Sequence, residues 1–312
     1  MLNFRKYVKG DEESILHLFE RSFDRKMSYD YWKWRYMDNP NIYENLINLA
    51  LEDNIVGHYA VSPVPLFINA IKYNSALSMT TMIDPEYRGR GLFTNLAKDL
   101  INCTQELDLI FGVPNENSVK GFVEKLDFKL IKEIPMLESK SLSREYYFNS
   151  CCVYIEKFDE RFNDLFTRCI DKYKIITTRK SEHLNWRFID NPVNEYKTLA
   201  YIDDNKVLGY VVIKNYISNA ITNGDIVDIL AINDMVMREL LNASFYLFKD
   251  EGVSSINTWF HDKELLKIFE EFGFFPNGQY FHFIVRRISD LLEEMVFDFD
   301  NWYITMSDID LF

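Results

Sequence analysis

The stretch D-P-E-Y-R-G-R-G-L-F, Asp84 to Phe93, decides the fold because it joins a strand-like segment directly to a helix-like one. The segment before it, Leu77–Ile83, reads L-S-M-T-T-M-I, which is typical of a β-strand. The segment after it, T-N-L-A-K-D-L-I, has the apolar spacing of an amphipathic helix. The chain therefore passes from strand to helix through a short run rich in glycine and arginine.

The composition of this junction predicts an anion site. Gly89 and Gly91 lack Cβ atoms, so main-chain amides there can approach a bulky anion closely. The first amides of a helix are unpaired and carry a partial positive charge, to which Arg88 and Arg90 add their own. We expect a pyrophosphate-binding site here. The alternative interpretation is a tight turn whose arginines point into solvent.

The overall composition limits the partners. The 312 residues carry a formal net charge of −13, which argues against broad contact with nucleic acid or with an anionic membrane. No segment approaches the roughly 20 uninterrupted apolar residues of a membrane span, and the N-terminus lacks the apolar core of a signal peptide. The four cysteines form no C-x-x-C pair and have no nearby pair of histidines, so neither a metal site nor a disulfide framework is predicted. We expect a globular cytoplasmic protein and leave its oligomeric state open.

The chain repeats itself over a domain-sized period. Y-W-K-W-R-Y-M-D-N-P (Tyr31–Pro40) recurs as H-L-N-W-R-F-I-D-N-P (His183–Pro192). The same offset carries D-N-I-V-G-H-Y-A-V (Asp53–Val61) onto N-K-V-L-G-Y-V-V-I (Asn205–Ile213). A period near 150 residues is far longer than a solenoid repeat, so we interpret the chain as two copies of one domain. The polar stretch Glu138–Glu145 is the predicted boundary between the two domains, which then comprise residues 1–142 and 143–312.

Both halves predict the same order of elements. An opening strand is followed by a helix with Asp11 or Asp159 at its start, a short helix that ends before Asn-Pro, and two strands joined by a polar turn. Another strand, a helix, a strand, a helix and a final strand complete each half. The fold class is therefore α/β (α+β), with a mixed, mostly antiparallel sheet flanked by helices in each of two tandem domains.

The order of these elements and the junction resemble the GNAT superfamily of coenzyme A-dependent N-acyltransferases. Its phosphate-binding motif begins with Arg or Gln, has Gly at the fourth position and ends in Gly or Ala; Arg88 and Gly91 match, whereas Phe93 departs from it. The resemblance implies that amides from Arg88 through Leu92 to Phe93 hold the pyrophosphate of an acyl-coenzyme A. It also implies that Met82 and Ile83 pair with the pantetheine amides. We expect the bulk of Phe93 to narrow the turn.

A second match lies at P-N-E-N-S-V-K-G-F-V-E-K-L-D-F, Pro114–Phe128. The resemblance implies that Asn115 or Asn117 contacts the coenzyme, although a helix cap explains either residue nearly as well. Members of the family often carry a tyrosine in this helix that protonates the departing thiolate. The matching position here is Phe122 or Val123, and neither can donate a proton.

The coenzyme motif occurs in the first half only. The second half reads N-G-D-I-V-D-I-L-A-I-N-D-M-V-M-R (Asn223–Arg238) where the turn should be, without the glycines and the arginine pair. We therefore expect an active N-terminal copy and a C-terminal copy that does not bind coenzyme A.

The catalytic base and the acceptor site are less well marked. The strand before the turn has no Asp or Glu, so His58 is the candidate for taking the proton of the amine, against the alternative of a structural histidine. Trp34, Arg35 and Tyr59 are candidates for acceptor binding. Because Trp34 and Arg35 recur in the half without the motif, a role in the fold is the favoured interpretation of these two.

These features predict an N-acyltransferase that moves an acyl group from acetyl- or another acyl-coenzyme A to a small primary amine. The doubled fold and the tail D-N-W-Y-I-T-M-S-D-I-D-L-F are similar to two-domain members of the family that acylate amino sugars on nucleotide carriers. That similarity implies a dTDP- or UDP-linked amino sugar and bacterial surface glycan synthesis, such as that of O-antigen. A peptide, an amino acid or an aminoglycoside is the alternative acceptor, and a non-catalytic acyl-coenzyme A-binding or scaffold protein is the alternative function.

Overall fold

The structure, a computed structural model, describes residues 2–44, 46–104, 106–262 and 264–310. The helices are α1 (Glu12–Phe23), α2 (Tyr29–Tyr36), α3 (Leu92–Cys103), α4 (Glu116–Lys125), α5 (Glu160–Cys169), α6 (Ser181–Leu184), α7 (Asp234–Asp250) and α8 (Leu266–Glu271). The strands are β1 (Asn3–Lys6), β2 (Ile47–Leu51), β3 (Ile55–Pro63), β4 (Leu66–Ile68), β5 (Ile71–Tyr73), β6 (Ser75–Ile83), β7 (Leu109–Gly112), β8 (Lys129–Ser139), β9 (Cys152–Tyr154), β10 (Ile175–Thr177), β11 (Lys197–Asp203), β12 (Lys206–Ser218), β13 (Ile221–Ala231), β14 (Ile256–Thr258), β15 (Phe260–His261), β16 (Phe275–Arg287) and β17 (Trp302–Thr305).

The first compact unit comprises Met1–Pro65, Tyr73–Ile131 and His282–Phe297. Its sheet has the order β1-β2-β3-β6-β7-β16. All neighbours in it are antiparallel except β6 and β7, which are parallel. Because α3 connects β6 to β7, the strand, helix and strand that the sequence predicted around the glycine-rich junction form a βαβ unit.

Helices cover both faces of this sheet. On one face, α1 buries Ile15, Leu18 and Phe19, whose spacing places them on one side of the helix, against apolar residues of β2, β3 and β6. On the other face, α3 and α4 pack on the sheet through a second apolar cluster that includes Leu96 and Phe122. The unit is thus a sheet between two helical layers.

The second unit comprises Leu66–Lys72, Lys132–Phe281 and Asp298–Phe312. Its main sheet has the order β9-β11-β12-β13-β14-β8, with β13 and β14 as its parallel pair. This order repeats that of the first unit element by element. A second sheet in this unit has the order β15-β17-β10-β4-β5. The α/β class with mixed, mostly antiparallel sheets is therefore confirmed.

The compact units differ from the two contiguous segments predicted from sequence, 1–142 and 143–312. The final strand of each sequence half is shared: residues 132–139 of β8 belong to the second unit, and residues 282–287 of β16 belong to the first. The pairings of β8 with β14 and of β16 with β7 explain the placement of these two strands, since a strand belongs to the sheet whose backbone it bonds. The repeat reveals the copies but not which sheet receives each last strand.

One recurring sequence feature has the same structural cause in both units, and another does not. Gly57 and Gly209 lie under the helices α3 and α7: a Cβ at Gly57 would lie 2.9 Å from Leu96 Cδ1, and one at Gly209 would lie 2.7 Å from Val236 Cγ1. The predicted N-caps differ. Asp159 accepts a hydrogen bond from Arg161 N at 3.0 Å, whereas the carboxylate of Asp11 is bound by the Arg5 guanidinium instead of a helix amide.

No helix in the described ranges has both the length and the apolar composition needed to cross a membrane.

Candidate active site

The parallel pair β6 and β7 separates halfway along β6. Within the described residues, their ladder runs from Ser75 opposite Leu109 to Ser78 opposite Gly112 and ends there. Strand β6 continues to Ile83. The main-chain groups from Met79 onward are therefore free of β7, and they present an open strand edge that an extended ligand can pair with.

A β-bulge lies in this free part of β6. The register with β3 moves from His58 opposite Met82 to Ala60 opposite Met79, so β6 has one extra residue. Thr80 adopts φ 46, a left-handed conformation that is rare for a β-branched residue. His58 Nδ1 donates a hydrogen bond to Thr80 O at 2.9 Å, which assigns the proton to that nitrogen. The imidazole thus holds the carbonyl of the strained residue.

His58 is fully buried, and burial lowers its pKa to about 4 despite the carbonyl of Thr80. Among the residues that the structure describes, none forms a hydrogen bond with its Nε2. The ring packs edge-on against Tyr36 at 5.8 Å. At neutral pH the imidazole is therefore uncharged, with one nitrogen bound to the backbone and the other held in the core.

The glycine-rich turn has the geometry of an anion site. Asp84 begins a 3-10 turn, accepts a hydrogen bond from Glu86 N at 3.0 Å and pairs with Arg21 at 3.1 Å, which fixes the start of the loop. Gly89 and Gly91 both have φ 76, and nothing lies within 4 Å of the Cβ that either would carry. Gly91 is the N-cap of α3 and offers no side-chain hydrogen bond to it. The N-cap residue therefore leaves the first amides of α3 without a side-chain cap.

The two arginines of the turn are exposed but lie along its backbone. Arg88 donates to the carbonyls of Ile83 and Ser22, both at 3.3 Å. Arg90 donates to Glu86 O at 3.1 Å, and its guanidinium lies over the Tyr87 ring at 4.7 Å. In this conformation both guanidinium groups donate to main-chain carbonyls.

The expectation that Phe93 narrows the turn is wrong. Its ring points away from the loop into the apolar cluster between α3 and α4, where it contacts Phe122 edge-on at 5.0 Å. The space is provided by Gly121, since a Cβ there would lie 2.9 Å from Phe93 Cε1. The departure from the family's small residue is therefore accommodated one helix away.

The asparagines before α4 have different roles. Asn115 is the N-cap of α4, and its side chain accepts hydrogen bonds from the amides of Asn117 and Ser118 at 3.1 Å each. Asn117 is exposed. Phe122 is buried, and Val123 is 38% exposed. Asn115 thus serves as a helix cap, one of the two alternatives that the sequence left open.

The three acceptor-binding candidates lie in the interior. Trp34 and Arg35 are each 3% exposed, and the guanidinium lies 5.6 Å from the indole ring. Tyr59 is 0% exposed, and its hydroxyl lies 3.2 Å from Ser78 Oγ. The structure brings Tyr59, but neither Trp34 nor Arg35, to the point where β6 and β7 separate. The burial of the Trp–Arg pair accords with its recurrence in both halves.

Sequence reasoning missed Ser78 and Thr80. Both lie in L-S-M-T-T-M-I, which has no carboxylate. Hydroxyl-bearing residues in an otherwise apolar strand mark positions that need not be buried, and this signal was present in the sequence. No local pattern, however, indicates the bulge.

The second unit differs at the position that corresponds to the turn. Asn233 is the N-cap of α7, and its side chain accepts a hydrogen bond from Val236 N at 2.9 Å. The amide that would be open to an anion is already bonded. The prediction of a C-terminal copy without a coenzyme site rests on this cap as well as on the missing glycines.

The second unit also has a buried ionic cluster where the first has His58. Tyr210, the counterpart of His58, donates to Asp228 at 2.7 Å. Arg179 pairs with Asp228 at 3.0 Å and with Asp308 at 2.8 Å, and all three of these side chains are at most 2% exposed. The position that His58 occupies in the first unit is thus taken in the second by a tyrosine that belongs to a buried network of a guanidinium and two carboxylates.

Comparisons with known proteins agree with the geometry. Residues 3–130 match the model of the acetyltransferase (GNAT) domain. A GCN5-related N-acetyltransferase from Anabaena variabilis superposes with a TM-score of 0.72 at 13% identity, covering 93% of this chain and 73% of that one.

Two other solved structures are similar over nearly the whole chain. A probable N-acyltransferase from Enterococcus faecalis has a TM-score of 0.69 at 13% identity, with 92% of this chain and 73% of that one covered. N-myristoyltransferase of Saccharomyces cerevisiae, solved with bound myristoyl-CoA, has a TM-score of 0.66 at 12% identity, with 92% and 79% covered. A comparison with curated proteins finds no match.

Proposed function

We propose that the turn from Arg88 to Phe93 binds the pyrophosphate of the acyl donor. Residues 3–130 are a GNAT acetyltransferase domain, and the chain is an acyl-coenzyme A-dependent N-acyltransferase. One observation carries this assignment. Gly91 leaves the first amides of α3 open, whereas Asn233 closes those of α7 in the corresponding position. Positive φ and open space at Gly89 and Gly91 fit a bulky dianion near the backbone.

We propose that the pantetheine arm of the donor binds along the free edge of β6. Main-chain groups from Met79 to Ile83 lack pairing with β7 in the described ladder, so Met82 and Ile83 can bond the amides of the arm like an added strand. Such pairing orients the thioester and contributes to catalysis by positioning, which supplies up to about 7–11 kcal/mol in well-aligned systems. The bulge at Thr80 re-aims the backbone there, and its amides are our candidates for the oxyanion site.

His58 remains our candidate for handling the proton of the amine, and the geometry favours an indirect role. Its Nδ1 is bonded to Thr80 O, and its Nε2 is enclosed in the core. A neutral imidazole can accept a proton, but only from a group or water that reaches Nε2. We propose that its main contribution is to hold the bulge, and that the amine gives its proton to water.

A calorimetric titration with coenzyme A tests the donor site. Wild type should bind, and Gly91→Glu should not, because the new carboxylate would lie at the open amides. Gly252→Glu is the matched control: Gly252 has φ 68 and open space around its Cβ position, but it lies in the second unit. Both variants carry the same backbone strain of about 1–2 kcal/mol. Equal binding by both variants would remove the turn from the donor site.

We propose a nucleotide-linked amino sugar as the acceptor, in bacterial surface glycan synthesis, with the enzyme acting in the cytoplasm. The doubled fold and the tail support this proposal. Trp34, Arg35 and Tyr59 are all buried, so a direct contact of any of them with the acceptor stays a prediction. An acidic chain with a net charge of −13 also suits a cationic amine such as an aminoglycoside.

A peptide amine is the second candidate acceptor. It is favoured by the likeness to the N-myristoyltransferase, which extends over 92% of this chain and therefore includes the second half. That structure holds myristoyl-CoA, which makes a long acyl donor worth testing. Thiol release should be measured with short- and long-chain acyl-coenzyme A against amino sugars, amino acids, peptides and aminoglycosides. Turnover with peptides alone excludes the sugar, and binding without any thiol release supports a non-catalytic protein.

A further inference from the structure

Two hydroxyl groups meet where β6 and β7 separate. Tyr59 Oη lies 3.2 Å from Ser78 Oγ, and Ser78 is the last residue of β6 that pairs with β7. Tyr59 is 0% exposed, whereas Ser78 is half-buried. Opposite them, Gly112 has no side chain, and a Cβ there would lie 3.3 Å from Ser78 Cβ. The serine hydroxyl therefore lies beside the cleft, with the phenol behind it.

The length of β6 between the turn and Ser78 predicts that the sulfur of the donor lies near these two hydroxyl groups. This step rests on the proposed function, in which the pyrophosphate is held at the turn and the arm runs back along β6. From Ile83 to Ser78 an extended strand spans about 17 Å. A pantetheine arm, with its two amides, is comparable in length with an extended peptide of about this size. Its thiol end should therefore reach the point where the strands separate.

The departing thiolate needs a proton, and α4 offers none at the expected place. Phe122 is buried, its ring packing against Phe93 and Phe128. Val123 has no proton to give. The phenol that this helix lacks is instead on β3, at Tyr59, and its ring contacts Phe93 from the other side at 6.4 Å.

We propose that Ser78 donates the proton to the departing thiolate and that Tyr59 replaces that proton on Ser78 Oγ. The C–S bond breaks and its electron pair goes to sulfur, which takes the proton of the Ser78 hydroxyl. The Tyr59 proton moves to Ser78 Oγ, and water returns a proton to the phenolate. The acylated nitrogen loses its extra proton to water, so charge and atoms balance.

The electrostatics of Tyr59 fit a group that keeps its proton until the thiolate forms. Burial raises the pKa of the phenol to about 12, while the Ser78 hydrogen bond and the positive charge of Arg286 act in the opposite direction. The phenol is therefore protonated at every working pH. Arg286 itself donates a hydrogen bond to Leu126 O at 2.7 Å. Its positive charge is thereby held in place, where it stabilises the phenolate of Tyr59 and partly offsets the effect of burial.

The thiol of bound coenzyme A provides a readout that does not depend on turnover. Its pKa can be measured from the ultraviolet absorbance of the thiolate as a function of pH. A donated hydrogen bond stabilises the thiolate, so its pKa should be lower in the wild-type complex than in those of Ser78→Ala and Tyr59→Phe, by about one unit for Ser78→Ala. Tyr29→Phe, at an exposed tyrosine of the same unit, is the control and should leave that pKa unchanged.

Turnover gives the second readout. Both variants should lower kcat by about 10- to 100-fold, at the low end of proton-transfer effects because a thiolate leaves readily. KM for the donor should change little, and Ser78→Cys, which restores a proton donor, should recover part of the loss. Unfolding midpoints of each variant identify any that fail to fold.

The outcomes separate this inference from the proposed function. If wild type binds coenzyme A and turns over, but Ser78→Ala and Tyr59→Phe keep both the thiol pKa and kcat, the hydroxyl pair is not the proton donor. If folded wild type binds no coenzyme A, the proposed function itself fails. A loss of kcat with an unchanged thiol pKa assigns these residues to structure and overturns the inference.

Discussion

Phe93 and Gly121 act as a matched pair, which explains how a bulky residue can end the glycine-rich motif. A Cβ at position 121 would lie 2.9 Å from Phe93 Cε1, and the ring is enclosed by Phe122 and Tyr59. Because the ring cannot move away easily, the small residue on α4 and the large residue on α3 depend on each other.

Gly121→Ala should therefore destabilise the first unit by about 1–3 kcal/mol in wild type, because overpacking outweighs the gain in helix propensity. In a Phe93→Ala background, the same substitution should stabilise the fold by about 0.5–1 kcal/mol, since only the propensity term remains. Denaturant unfolding of the four proteins in the cycle measures both values. Equal effects in the two backgrounds would show that the ring moves aside.

His58 couples the stability of the first unit to pH. Its pKa is lowered by burial from 6.5 to about 4 in the folded state, so only the unfolded chain takes up a proton between these values. The free energy of unfolding should fall as the pH drops from about 6.5 to 4, by about 3 kcal/mol in all. His58→Asn removes this titration and can still donate a hydrogen bond to Thr80 O.

Comparison of the two proteins by denaturant unfolding at several pH values isolates this term. The wild type should lose about 3 kcal/mol more than His58→Asn between neutral and acid pH. Parallel curves would mean that the folded protein protonates His58 freely.

At the scale of elements, a row of polar residues crosses the sheet of the second unit. Lys214 on β12 lies opposite Asp225 on β13, Asp225 opposite Asn257 on β14, and Asn257 opposite Glu138 on β8. Burial raises the pKa of Asp225 to about 7, although Lys214 and Asn257 act to lower it. Burial likewise lowers the pKa of Lys214. Burial thus acts against the charged form of each residue, in opposition to their mutual attraction.

Asp225 should make the second unit less stable as the pH rises, the opposite of His58. The folded state keeps the proton up to about pH 7, whereas the unfolded chain releases it above about 4, so unfolding becomes easier between these values by up to about 4 kcal/mol. Asp225→Asn should remove this slope and should be more stable than wild type at neutral pH. Thermal unfolding of wild type and Asp225→Asn from acid to neutral pH tests both statements. If the stability of wild type relative to Asp225→Asn rises with pH over this range, both are wrong.

Across the whole chain, distant segments of the second unit meet at Arg179. Its guanidinium joins Asp228 of β13 to Asp308 near the end of the described chain, and Thr305 donates a hydrogen bond to Asp228 at 2.8 Å. Burial acts to lower the pKa of Arg179, but the two carboxylates act more strongly in the other direction. The net pKa is therefore raised above its usual value, and the group stays charged. The tail is thereby fixed to the core of the unit.

Arg179→Leu should destabilise the protein by about 3–5 kcal/mol, because it leaves two buried carboxylates without their cation. Arg238→Leu is the matched control: it removes a guanidinium from the 2.8 Å pair with Glu271, whose side chains are 38% and 53% exposed. An exposed pair contributes about 0–1 kcal/mol. Urea unfolding compares the two, and similar losses would mean that the cluster is not strongly stabilising.

The sequence by itself determined the class of fold, and it predicts the doubled domain and the pyrophosphate turn. These depend on local rules: apolar periodicity, glycine at positive φ, and an uncapped helix start, each of which a few neighbouring residues specify. The sequence also predicts that the second copy does not bind coenzyme A, since its missing glycines are a local absence and Asn233 is a strong capping residue.

Only the tertiary structure decided which sheet receives β8 and β16, where the β6 bulge falls, and that His58, Trp34 and Arg35 are buried. Strand partners are chosen by contacts between residues far apart in sequence, and burial depends on what packs from the other layers. The meeting of Tyr59 with Ser78 is of this kind, because a hydroxyl becomes part of a site only when the strands that carry it come together.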